Sequence, residues 1–170
     1  MINLLTKLYN GLTNEKLLLS GFFTLALVGC ASTPEQSQNV AQETIRYSTS
    51  PCFGACPIYS FEVSPNGTVH FEGKQYTKVT GTRDLQVDPS VYKKLQSELK
   101  TYRPETGSNV KTTGCVQTAT DKPSSYFWWK QADGTTTRLS HYTGCISPAN
   151  DELNKLIDKL PTLIGIEKLV

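Results

Sequence analysis

The sequence predicts an α+β domain: an antiparallel sheet built of hairpins, with two helices packed on one face and disulfides as staples. Three observations predict it. Short runs in which apolar and polar residues alternate come in pairs, joined by turn residues, at Tyr59–Phe71 and Tyr126–Ser140. Two other runs carry apolar residues at helical spacing, each behind a capping residue and a proline, at Asp88-Pro89 and Ser147-Pro148. The resulting order is strands, helix, strands, helix, which suits one sheet with helices segregated to one side.

In chain order, Thr44–Ser48 is a first strand with Ile45 and Tyr47 on one face. In the next, Tyr59, Phe61 and Val63 alternate with Ser60 and Glu62. Ser64-Pro65-Asn66-Gly67 has turn composition, and Val69 and Phe71 return between Thr68, His70 and Glu72. A further strand is expected around Leu85 and Val87. Asp88 and Pro89 then start a helix as N-cap and first residue. Val91, Tyr92, Leu95, Leu99 and Tyr102 form its apolar stripe, and Arg103-Pro104 ends it. Residues 104–124 read as a loop, long enough to need tying down. A second hairpin, Tyr126–Gln131 and Thr135–Ser140, turns at Ala132-Asp133-Gly134. Ser147-Pro148 opens the last helix, with Leu153, Leu156, Ile157 and Leu160 on its core face and Pro161 ending or kinking it.

Residues 1–29 read as a secretory signal, with Lys7 and Lys16 ahead of the apolar run Leu17–Val28. That run is shorter than the ~20 apolar residues a bilayer span needs. It closes in Leu27-Val28-Gly29-Cys30, which resembles the lipobox of bacterial lipoproteins. The resemblance implies lipid on Cys30, cleavage before it, and durable anchoring by several acyl chains. Ala31 stands where Asp commonly favours inner-membrane retention, so the implied location is the cell envelope, at the outer membrane facing the periplasm. Residues 30–42 then form the lipidated end and a polar tether of ~20 Å r.m.s. reach, and residues 43–170 a single domain. The leader holds two lysines and one glutamate, so the mature chain carries one charge fewer than the +2 of the whole. So balanced a charge points to neither nucleic acid nor an anionic surface as partner.

With Cys30 used for lipid, Cys52, Cys56, Cys115 and Cys145 remain. Four cysteines in an exported chain read as two disulfides with three possible connectivities. Cys52-x-x-x-Cys56-Pro57 also resembles the Cys-x-x-x-Cys-Pro motif of Sco-type copper chaperones, where two thiolates and a distant His hold copper. His70 or His141 is the candidate third ligand. In that family the motif opens a helix, whereas here Pro57 leads into an alternating strand.

The longer string Cys52-Phe53-Gly54-Ala55-Cys56-Pro57-Ile58-Tyr59 resembles a bacterial family of unknown function with the signature Cys-Phe-Gly-x-Cys-Pro-x-Tyr. Asn66-Gly67 and Phe71-Glu72-Gly73 continue the likeness. The resemblance supplies no catalytic residue and no cofactor. It implies that Cys52 pairs with Cys56, which leaves Cys115 for Cys145. By chain entropy the short bridge is worth roughly 2 kcal/mol and the long one roughly 3.7 kcal/mol.

Tyr126-Phe127-Trp128-Trp129 is the candidate binding patch, because aromatics carry much of the energy at interfaces. In a strand, Phe127 and Trp129 share one face and Tyr126 and Trp128 the other. No nucleophile elbow or phosphate loop marks an active site. The expected function is therefore a membrane-anchored, non-catalytic module that binds another envelope component. The alternative is a thiol-based redox or copper protein using Cys52 and Cys56.

Overall fold

The computed structural model describes residues 43–170; the leader, Cys30 and the tether lie outside the described residues. These residues hold strands β1 (Thr44–Thr49), β2 (Ile58–Val63), β3 (Thr68–Gln75) and β4 (Gly81–Gln86), then helix α1 (Pro89–Leu99). Strands β5 (Asn109–Lys111), β6 (Gln117–Thr118), β7 (Ser124–Lys130), β8 (Thr136–Tyr142) and β9 (Cys145–Ile146) follow, and helix α2 (Pro148–Leu163) ends the series.

The main sheet has seven strands in the order β4-β3-β2-β1-β7-β8-β5, and β6 pairs with β9 apart from it. The expected α+β arrangement, an antiparallel hairpin sheet with helices on one face, is thereby corrected: the chain is mostly sheet, and the sheet is mixed. β5 runs parallel to β8, with Asn109 opposite Arg138. The cause is edge pairing. β8 would otherwise leave its outer N–H and C=O groups unpaired, and the segment after α1 supplies partners for them. β1 belongs to no hairpin with β7, yet it pairs with both β2 and β7 and so joins the two hairpins into one sheet.

The β2–β3 hairpin turns at Gly67, whose φ of +84° favours glycine. A Cβ there would sit 2.1 Å from the Val87 carbonyl oxygen, so the close approach of β4's end also requires glycine. α1 begins at N-cap Asp88, whose carboxylate accepts from the Ser90 N–H at 2.8 Å. α2 begins at N-cap Ser147 and runs through Pro161 to Leu163 rather than stopping there. A proline so near the end costs one amide donor, and the Pro161 carbonyl still accepts from the Ile166 N–H at 2.8 Å.

One face of the sheet forms the core. Phe127, Tyr47, Phe61 and Phe71 stand in register across β7, β1, β2 and β3. Ring centroids are 5.0 Å apart for Tyr47–Phe127 and 5.1 Å for Tyr47–Phe61, separations typical of favourable aromatic pairs. Leu95 and Leu99 of α1 and Leu153 and Leu160 of α2 join the same buried cluster. Beside Trp129, Arg103 bonds Glu43 at 2.6 Å and Tyr92 donates to the Glu43 carbonyl at 2.6 Å. Among the described residues, no helix is long and apolar enough to cross a membrane.

Candidate functional site

The second face of the sheet presents polar and aromatic side chains in cross-strand rows. One row reads Arg138 (β8), Trp128 (β7), Arg46 (β1), Glu62 (β2), His70 (β3), Asp84 (β4). The row beside it reads Ser140, Tyr126, Ser48, Ser60, Glu72, Thr82. Charge divides along the β1–β2 boundary. Strands β1, β5, β7 and β8 contribute Arg46, Lys111, Lys130 and Arg138 and contain no Asp or Glu. Beyond the boundary stand Glu62, Glu72 and Asp84, with His70 bonded to Asp84 and Lys74 paired with Glu72 at 3.7 Å.

The aromatic quartet divides between the faces. Phe127 and Trp129 are core, 0% and 1% exposed. Tyr126 and Trp128 are half-buried on the open face, and their rings meet cations rather than solvent alone. The Arg138 guanidinium lies 5.1 Å from the Tyr126 ring centroid and 5.3 Å from that of Trp128, and Arg46 lies 5.6 Å from Trp128. Such cation–π contacts hold a guanidinium in place without neutralising it. Arg46 and Arg138 have no carboxylate partner among the described residues, and Arg138 Nε is buried with no hydrogen-bond partner there. Among the described residues, the open face therefore presents two oriented guanidinium groups with no ion-pair partner within 4 Å, bracketing an indole, with Glu62 opposite Arg46 on β2. The sequence alone marks all four aromatics, Tyr126, Phe127, Trp128 and Trp129, as the candidate patch without showing which pair is core. It gives no sign of the arginines, because Arg46 and Arg138 lie 92 positions apart and meet only through the non-local β1–β7 pairing.

The cysteines form two bridges, Cys52–Cys56 and Cys115–Cys145, with Cα separations of 5.9 and 4.9 Å, ordinary for disulfides. The first lies in an exposed loop that leads into β2, with Phe53 fully displayed at 88% exposure. The second ties the loop after β5 to β9, where the Cys145 sulfur also accepts from Asn150 Nδ2 at 3.1 Å. Neither histidine joins the cysteines. Among the described residues, no group of three or more His, Cys, Asp or Glu is placed to hold a metal. His70 is exposed on the open face beside Asp84. His141 is fully buried, its Nδ1 2.9 Å from Thr112 Oγ1 and its Nε2 2.9 Å from Asn154 Oδ1.

Burial lowers the His141 pKa below its ordinary value, and the Asn154 bond offsets this in part. The folded protein then binds this proton less readily than the unfolded chain does. Stability from His141 is complete above the unfolded value of about 6.5 and is lost as pH falls below it. Urea unfolding at pH 7.5 and pH 5.5 is expected to show a lower midpoint at pH 5.5. His141→Gln should shrink that difference; an unchanged difference in the variant would remove His141 as its source.

A cleft of about 470 Å³ opens at one end of the core, between the Cys52–Cys56 loop and α2. Cys56, Pro57, Tyr59, Ser125, Ile157 and Asp158 are among its lining residues. Tyr47 and Ser125 hydroxyls bond each other at 2.9 Å on its wall. Burial raises the Tyr47 phenol well above its ordinary pKa and pushes Tyr59 to about 12, so both remain protonated hydroxyls at neutral pH. The wall thus offers hydroxyl groups, apolar contact with Pro57 and Ile157, and the charged side chains of Lys122 and Asp158.

A family model described as a domain of unknown function, DUF6438, matches residues 43–164, which is nearly all of the described domain. No curated protein matches the chain.

Proposed function

The chain belongs to the DUF6438 family, and on that premise we propose that it is a lipid-anchored, non-catalytic binding module of the bacterial cell envelope. The anchor in this reading is lipid on Cys30, supported by the likeness of Leu27-Val28-Gly29-Cys30 to a lipobox and by the polar tether behind it. The outer membrane, facing the periplasm, is its place, on the strength of Ala31. The resemblance of Cys52–Tyr59 to a cysteine-rich family signature belongs to the same reading.

The observation that carries the binding role is the open face, where Arg46, Trp128 and Arg138 stand in one row with no acid on the strands that bear them. Preoriented guanidinium groups on a rigid sheet recognise carboxylates or phosphates at low entropic cost. The working surface is thus narrower than the whole aromatic quartet: Tyr126 and Trp128 belong to it, while Phe127 and Trp129 hold the core. Among the described residues, neither histidine joins Cys52 and Cys56 in a group that could hold a metal, which favours this reading over the copper alternative.

Anchoring is tested by Cys30→Ala in the full chain. The variant is expected to move from the membrane fraction to the soluble one and to lose labelled palmitate. Retention in the membrane with undiminished label would refute the lipid anchor. The binding role is tested by Arg46→Ala/Arg138→Ala, which should weaken cross-linking of the full chain to its envelope partner at least about tenfold while the thermal midpoint stays near that of the parent.

A further inference from the structure

We propose that the occupant of the open face is a second copy of this chain, docked face to face about a two-fold axis along the β1–β2 boundary. This rests on the reading of that face as the binding surface and names its partner. The argument is one of self-complementarity. A closed two-fold interface uses the same patch on both copies, so every group must meet its complement elsewhere on that patch.

The two rows satisfy that condition. A two-fold axis that lies between two stacked sheets and runs along the strands exchanges the left and right halves of each row. It sets Arg46 over the second copy's Glu62, Trp128 over the second copy's His70, and Arg138 over the second copy's Asp84. In the adjacent row it sets Ser48 over Ser60 and the Tyr126 hydroxyl over Glu72. Each guanidinium thereby meets a carboxylate of the second copy, Asp84 doing so while bonded to its own His70, and each pair occurs twice. Antiparallel sheets pack face to face at about −30°, so the match is tightest at the axis, between Arg46 and Glu62.

A purely anionic partner fits this face less well. It would suit the β1, β7 and β8 half but would meet Glu62 and Glu72 as like charges immediately beside it. Six strands about 4.8 Å apart and about 20 Å long give roughly 600 Å² per copy, near the lower limit for a specific interface. The dimer is accordingly weak, salt-sensitive, and promoted by confinement to one surface.

The test is sedimentation equilibrium of the full chain in mild detergent, at low and high salt. Arg46→Glu and Glu62→Arg are each expected to raise the dimer dissociation constant about tenfold or more, since each converts two attractive pairs into two repulsive ones. The double variant Arg46→Glu/Glu62→Arg re-creates both pairs with exchanged signs and should return to within about threefold of the parent. Arg46 is exposed and Glu62 half-buried. Because the two also face each other across β1 and β2 within one chain, each single change sets like charges side by side there. Near-ultraviolet dichroism and the thermal midpoint of each variant separate loss of folding from loss of the dimer. A monomeric parent, a parent dimer indifferent to the single changes, or failure of the double variant to recover would each overturn the proposal. If the parent is monomeric and Arg46→Ala/Arg138→Ala still abolishes cross-links to a different envelope component, the self-partner falls and the binding-module reading stands. If those cross-links persist as well, both fall.

Discussion

Trp129→Ala is expected to cost about 3–5 kcal/mol of folding stability, the range for deleting a buried aromatic and leaving a cavity. Trp129 is 1% exposed and heads the fully buried side chains in size. Its ring lies 6.0 Å from that of Phe127 and faces the Arg103 guanidinium at 5.9 Å. Its neighbour Trp128 points the other way. There the ring sits between two guanidiniums, so Trp128→Ala should cost only about 1 kcal/mol, from lost cation–π and partial burial. Urea unfolding of the two variants side by side reads this contrast. Similar losses in both would mean that the open face is covered, and would remove the surface on which the proposed function rests.

Removing the Cys115–Cys145 bridge is expected to cost about 2–5 kcal/mol, more than removing Cys52–Cys56. The bridge spans a sequence separation of 30, against 4 for the other, and in the chain-entropy account the loss grows with the loop closed. Geometry adds to this. Cys145 is buried and pairs with Thr118 in the small β6–β9 sheet, while Cys115 ties down a segment whose own side chains are mostly exposed. Cys115→Ser/Cys145→Ser should thus lower the thermal midpoint by several degrees beyond Cys52→Ser/Cys56→Ser. The reverse order would show that the loop bearing Phe53 is the structural one.

The elements with strong local signals are legible in the sequence. Alternation placed Tyr59, Phe61 and Val63 on the core side, and the Asp88-Pro89 and Ser147-Pro148 pairs marked both helix starts. Sheet architecture was not legible, because non-local pairing sets it. β5 has three residues, all exposed, and no alternation to announce it. Its parallel pairing with β8 turned an expected hairpin sheet into a mixed one. The candidate site shows the same division. Tyr126 and Trp128 were visible as aromatics, and their separation from Phe127 and Trp129 followed from the period of a strand. The charge row needed the register of six strands, which no local pattern carries. His141 reads in the sequence as a candidate copper ligand at a hairpin end, and only packing shows it as a buried group between Thr112 and Asn154.

The central claim is that the chain works by binding through the open face, and site-specific photo-cross-linking in the intact envelope tests it most directly. A photoreactive residue is placed at Ser48 or Ser140 on that face, and in a separate chain at Lys155, which is exposed on α2. The account predicts discrete adducts from Ser48 and Ser140 and none from Lys155, with adduct mass revealing the partner. Adducts from Lys155 alone, or from no position, would contradict it.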